Sequence, residues 1–310
     1  MPFTNFPNGV TSFGIPLLGG NPVSVPIGAQ GTAWFVDATN GNNGNSGTDP
    51  GNAFKTITKA HAVATAGDTI FIQPGSYTEN LVITKNYITL HGAQLAGYGR
   101  PDVVPAAGIP LTVNAQGFAA LNMRFAGTAA DSVKQSGNGF LYNNCVFDGD
   151  GTAAKAGCRL VPAQVGADIT HFTASEGFVL NSLVRGCAIG IAFDTAAAPV
   201  GVGSTDNVIA GNLFYSNTKD ITAEKTGAAG TYSVQAANIS YNRFQDKNKA
   251  VYIDMLTNAD GAAANQTGSI MSNYFASTVA LTNVIIKVNG TGFTVVAAYS
   301  AIGITNASAF

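Results

Sequence analysis

Between Gly67 and Gly92 the chain reads GDTIFIQPGSYTENLVITKNYITLHG, and apolar β-branched or aromatic residues alternate with polar ones in three short runs. Thr69–Gln73, Glu79–Thr84 and Tyr87–His91 have the period of strands, while Pro74-Gly75 and Lys85-Asn86 carry turn chemistry. Three strands with tight corners and no helix between them predict one coil of a β-solenoid. Ala33–Asp37 reads as an earlier strand, and Asn40–Asn52 as a Gly/Asn loop whose single carboxylate, Asp49, is too little for a calcium site. Phe54–Ala66 is the one predicted helix, with Ile57, Ala60, Val63 and Ala64 on one face and Gly67 as its stop. A solenoid exposes an apolar coil at each end, so this helix is placed as a cap. His61 on it is read as a packing or surface residue.

Further along, an Asn followed by an apolar residue recurs at Asn122, Asn144, Asn181, Asn212, Asn242 and Asn273. Intervals of 20 to 50 residues are the mark of stacked repeats. Asn tolerates a left-handed corner, and stacked Asn side chains can form ladders. Phe125, Phe147, Phe214, Phe244 and Phe275 are expected to stack inside. Pro101–Pro110 reads as a loop, and 148–168, 195–206, 219–233 and 257–268 read as insertions leaving one side. In the last segment, Asn283–Val288 and Phe293–Ala298 flank Asn289-Gly290-Thr291-Gly292, a hairpin signal. The expected organisation is an all-β, single right-handed parallel β-helix over 32–278, with an extended arm at 1–31 and a C-terminal β-hairpin cap at 279–310.

Composition narrows the function classes. Charged residues are 10% of the 310, against about 25% in ordinary domains, and the net charge is −2. With no Lys/Arg cluster, nucleic acid is not an expected partner, and without a long apolar run or basic amphipathic segment neither is a membrane. The start MPFTNFPNGV lacks the pattern of a secretory signal, so synthesis in the host cytoplasm is expected. Cys145, Cys158 and Cys187 lack zinc-ligand spacing and are read as buried thiols. In the arm, Phe3, Phe6, Phe13, Ile15, Leu17 and Leu18 alternate with prolines, too interrupted for a helix and too apolar for a free tail. These six are the candidate partner-binding residues.

Four pieces in order, Thr48-Asp49-Pro50-Gly51, Phe54-Lys55-Thr56-Ile57, Gly67-Asp68-Thr69-Ile70 and Pro74-Gly75-Ser76-Tyr77, resemble the first coil of the pectin-lyase-like superfamily. That resemblance implies the β-helix, but the superfamily holds lyases, hydrolases, phage tailspikes and inert virion proteins. For an enzyme the candidates are Asp148, Asp150, Asp194 and Arg185. Hydrolases need two carboxylates flanking the scissile bond, and lyases a base beside a cation site. The sequence shows no cluster around any of the four, with Arg185 standing alone, and the Gly-His-Gly of polygalacturonase-like hydrolases is missing. No cofactor or metal is expected. The opening Phe6-Pro7-Asn8-Gly9-Val10-Thr11-Ser12-Phe13-Gly14-Ile15-Pro16 resembles tailed-phage virion proteins encoded beside the major capsid protein. This implies a homotrimeric decoration or cement protein on the outer surface of a phage capsid, docked on the major capsid protein through the arm. The alternative is a tailspike-type protein that binds or cleaves a host glycan.

Overall fold

The computed structural model describes residues 31–93, 99–152, 155–161, 174–194, 204–224, 234–246, 252–255 and 267–276, with the short strands at 11–12, 15–16, 286–287, 293–296 and 299–300. The chain winds as a right-handed parallel β-helix. Its first sheet has ten strands, the second nine and the third eight. One full coil runs Thr69–Ile72 in the first sheet, Gly75–Tyr77 in the second and Leu81–Ile83 in the third, and Thr89–Gly92 then pairs back on Thr69–Ile72. The opening stretch therefore holds four strands, not three. The expected turn at Pro74-Gly75 passes at once into a strand because Tyr77 is buried in the core and its hydroxyl donates to the Gln73 carbonyl at 2.8 Å. Pro101–Val103, expected as loop, is the next second-sheet strand, with a proline at the first position where no ladder N–H is required.

The capping helix is shorter than its apolar pattern, covering Ile57–Val63. Phe54 is extended and bridges Val36, and Thr56 is the N-cap, its hydroxyl accepting from Lys59 N at 3.2 Å. The Glu79 carboxylate accepts from Ile57 N and Thr58 N, while Lys85 Nζ donates to the carbonyls of His61, Ala62 and Ala64. A carboxylate at the helix start and an ammonium at its end complement the peptide dipoles and tie the cap to the first coil. His61 packs there too, its Nε2 facing Thr84 N.

The interior follows the predicted stacking. Phe125 pairs with Phe147, and Phe214, Phe244 and Phe275 lie in one register column, all buried. The last three rings stack with centroids 4.8 Å apart, which is the spacing of the coils themselves. The three cysteines are free and buried.

The asparagine repeat resolves into two adjacent positions. At the corner between the first and second sheets one residue per coil is left-handed: Asn122 (φ 59°), Asn144 (φ 53°), Asn181 (φ 49°), Gly211 (φ 69°), Tyr241 (φ 56°) and Ser272 (φ 53°). The first three asparagines occupy that position, where their conformational tolerance is used. Asn212, Asn242 and Asn273 come one residue later and are buried. Asn242 Oδ1 accepts from Asn212 N at 3.0 Å, and its Nδ2 donates to Ile209 O at 2.8 Å. Asn212 and Asn273 make the same two bonds one coil to either side. Where the corner opens the backbone ladder, these side chains pair the peptide groups that would otherwise be buried unmet.

Several expected loops are strands. Ala156–Leu160 and Lys219–Glu224, assigned to insertions, belong to the third sheet. The hairpin cap is replaced by a continuing solenoid: Ile286–Lys287 pairs in parallel with Ile253–Asp254 in the third sheet, and Phe293–Val296 with Gly268–Met271 in the first. A β-branched run suits a buried parallel strand as well as a hairpin arm, and Asn-Gly fits a corner as well as a two-residue turn. In the arm, Thr11–Ser12 pairs antiparallel with Ile15–Pro16. Phe3, Phe6, Phe13, Leu17 and Leu18 lie outside the described residues, as does the side chain of Ile15.

Replacing Phe244 with Ala is expected to cost about 3–5 kcal/mol, because a ring held on both faces leaves a cavity the coils cannot close. Asn242→Leu, although more apolar, is expected to cost about 1–3 kcal/mol for each peptide group it strands. Guanidinium denaturation followed by circular dichroism measures both.

Candidate functional site

On the outer face of the second sheet the strand register brings four charged side chains together. Asp102 and Arg124 are paired in one column, and Asp148 and Arg185 in the adjacent one. Arg124 Nη1 donates to Asp102 Oδ2 at 3.1 Å, and its Nε and Nη2 reach Asp148 Oδ2 at 3.0 and 2.8 Å. Arg185 Nη2 donates to the same Asp148 oxygen at 2.8 Å. Asp148 therefore sits between two guanidinium groups on successive coils. The sequence reading that Arg185 stands alone is corrected by this pairing. Neighbours about 4.8 Å apart across a parallel ladder can be 22 and 37 residues apart in sequence.

Asp102, Arg124 and Arg185 border an open groove of about 460 Å³, lined also by Gly75, Gly99, Arg100, Val146 and Leu183. Arg100 Nη1 donates to the Asn144 carbonyl at 2.7 Å. Three guanidinium groups and the single carboxylate of Asp102 line it, with Asp148 bonded to Arg124 and Arg185, so the groove is net positive. Further along the same columns the face becomes aromatic. Arg185 is followed in register by exposed Tyr215, and Arg243 by Tyr274, whose ring lies 6.0 Å from the Arg243 guanidinium carbon. From Asp102 to Tyr274 the column spans six coil steps, roughly 29 Å at ~4.8 Å each.

The electrostatics define what these groups can do. Burial raises the Asp148 pKa, but hydrogen bonds and charge from Arg185 and Arg124 outweigh it and hold the carboxyl below its ordinary range. Asp148 in turn raises the Arg185 pKa. A carboxyl held ionised cannot donate a proton near neutral pH, and a guanidinium held protonated cannot accept one. The ladder is built to present fixed charge. Asp150 does not join it: it is exposed, accepts from Thr152 N and Ala129 N, and its carboxyl is held down to about 2. Asp194 ends the third-sheet strand Ile189–Asp194, in a different sheet from Asp148. No group of three or more His, Cys, Asp or Glu able to hold a metal occurs among the described residues.

Asp102, Arg124 and Arg100 were not singled out from sequence. The signal was nonetheless there. Arg124 stands two residues after the left-handed Asn122, while Asp148 and Arg185 each stand four after Asn144 and Asn181. Aligning coils on that corner puts all three on one face.

Residues 39–297 match a family described as a protein of unknown function, DUF1565. The chain belongs to the DUF1565 family. No curated protein matches it. Among solved structures this DUF1565 chain is similar to pectate lyase Pel9A, with 12% identity, a TM-score of 0.51, and coverage of 87% of this chain and 76% of that one. It is also similar to a rhamnogalacturonan lyase, with 16% identity, a TM-score of 0.49, and coverage of 80% and 69%. An alginate lyase from Paenibacillus sp. str. FPU-7 aligns at 14% identity and a TM-score of 0.40 over 79% of this chain and 90% of that one. These likenesses concern the pectate-lyase-like fold, and chemistry must come from the groove itself.

Because the Asp148 pKa is lowered on folding, its contribution to stability is present above the ordinary carboxylate range and lost as pH falls through the folded value. Asp148→Asn is expected to be less stable than the parent at pH 7. The gap between their denaturation midpoints should shrink as pH falls below the ordinary Asp value of about 3.9 and through the lower folded value. A gap independent of pH would mean that the lost charge is not what destabilises the variant.

Proposed function

We propose that this DUF1565 β-helix is a polysaccharide-binding protein that holds an anionic glycan against the outer face of its second sheet and does not cleave it through the ladder residues. The observation that supports this reading is the net-positive groove, where Arg124 and Arg185 are pinned by Asp148 while Arg185 stays 44% exposed. A guanidinium fork recognises a carboxylate in two parallel hydrogen bonds, and pinning it in advance reduces the ordering cost of binding. Tyr215 and Tyr274 offer ring faces with a polar edge, suited to a ligand that alternates apolar ring faces with hydroxyls. That pectate lyase Pel9A carries the same fold is an analogy of scaffold, consistent with a glycan lying along such a sheet.

Titration with polygalacturonate, alginate and a neutral glucan tests the reading. Binding is expected for the two anionic polymers, weakening as salt rises, and Arg185→Ala should lose roughly tenfold, about 1.4 kcal/mol. Equal binding of the neutral glucan, or no effect of Arg185→Ala, overturns it. New reducing ends or unsaturated uronate that vanish in Asp148→Asn would overturn the non-cleaving part.

A second reading concerns where the protein sits. The opening Phe6 to Pro16 supports a place on the outer surface of a tailed-phage capsid, with the major capsid protein as the partner of the arm. Each apolar side chain buried by docking contributes about 1.5–3 kcal/mol before association costs. Deleting residues 1–30 is expected to leave a folded β-helix that no longer binds phage heads, and Phe6→Ala with Phe13→Ala should do most of the same damage. Retained occupancy on particles, measured by quantitative gel densitometry, removes this reading without touching the groove.

A further inference from the structure

The three outer faces of the solenoid differ in charge. On the second sheet the outward columns carry Asp102, Arg124, Asp148, Arg185 and Arg243. On the third they carry Lys134, Arg159 and Asp254. The first sheet is the longest, and its outward register positions hold no Asp, Glu, Lys or Arg in any of its ten strands. What they hold instead is apolar residues mixed with uncharged polar ones such as Thr, His and Asn. One column runs Thr69, Thr89, Ala119, Leu141, Phe178, Val208, and the other Phe35, Phe71, His91, Leu121, Asn143, Leu180, Ala210. Phe35, Phe71 and His91 stack on the outside, with centroids 5.5 and 5.2 Å apart, and Phe178 is 43% exposed.

We propose that this uncharged face is an interface between copies of this chain, which joins them side by side into a closed homo-oligomer. Three properties favour a second copy as the occupant. A face without charge meets an identical face without stranding an ion or setting like charges against each other, the usual obstacle to self-association. It is a flat parallel sheet, and two such faces stack at about 10 Å with side chains interdigitating, as in a sandwich. Large Leu141, Phe178 and Leu180 lie between small Ala119 on one side and Ala210, Ser240 and Ser269 on the other, which supplies both knobs and holes. The size suits a reversible contact. Ten strands at ~4.8 Å give a face about 43 Å long and one short strand, about 10 Å, wide, so a pair covers about 860 Å², in the range of weak assemblies.

The assembly leaves the second sheet facing outward on each copy, so neighbouring grooves would act together on one long polymer. Linked sites raise apparent affinity without new contacts. The interface does not depend on the glycan reading and is tested without any ligand.

Light scattering coupled to size exclusion, on the full chain at about 10 μM, is expected to give a dimer mass, the closed assembly that two identical stacked faces allow. Phe178→Arg places a charge at the exposed centre of the face and Ser269→Arg another near one end, neither in the core. Each should shift the mass to that of the monomer while the far-ultraviolet circular dichroism keeps its β signal. Arg243→Glu on the second sheet should leave the oligomer intact. A monomeric parent chain overturns the proposal, as does an oligomer that survives both arginine variants. An oligomer lost on deleting residues 1–30 but kept in both variants would also overturn it, since the arm would then be the joint.

Discussion

Everything in this molecule depends on the parallel pairing of each coil with the next. A coil cannot satisfy its own backbone, because its strands point into three different sheets. Only a neighbour supplies the missing partners. Parallel pairing holds where strands run straight and fails where the chain turns from one sheet to the next. The structure meets that failure with side chains. Asn212, Asn242 and Asn273 are buried amides that pair peptide groups at the first corner, and Asn217 does the same at the second, accepting from Cys187 N and donating to Val184 O. A buried amide without partners would be a liability, whereas a fully paired one fixes the register of coil on coil.

Fixed register is also what makes the surface columns functional. Residues such as Arg124, Asp148 and Arg185 have no proximity in sequence and acquire it only because each coil sits in phase with the last. A slip of one residue would turn the columns inside out and put charge into the phenylalanine stack. The corner asparagines and the charged groove are therefore linked: the first set of side chains holds the second in place.

The fold was legible in the sequence because its signals are local and repeated: strand period between Gly67 and Gly92, a helix with a stop at Gly67, phenylalanines at recurring intervals. The errors arose where one pattern admits two geometries. Pro74-Gly75 is a turn signal in isolation, yet Gly75 opens a second-sheet strand, and Ile286–Lys287 and Phe293–Val296, on either side of the Asn-Gly signal, pair in parallel with earlier coils and not with each other. Ala156–Leu160 looked like insertion because it is rich in Ala and Gly. Its Gly157 is in fact required, since a Cβ there would lie 2.8 Å from the Gly190 carbonyl and 3.0 Å from a Val184 methyl. The site was less legible than the fold. The asparagine repeat mixes two structural positions, so reading it as one column shifts the later coils by a residue and hides the alignment of Arg185 with Tyr215.

The same periodicity explains how a chain with so few charged residues can carry a defined electrostatic pattern. In an ordinary globular fold, 15 cationic and 17 anionic side chains would scatter over the surface. In a solenoid each outward position belongs to a column, so a handful of substitutions at equivalent places paints a whole face. The second sheet concentrates opposite charges until they pin one another, at a groove where pinned guanidinium groups bind best. The first sheet is kept free of charge along its full length, the condition under which a flat β surface packs against its own kind instead of against water. Coil register thus sorts charged and uncharged outward positions onto separate sides of one solenoid.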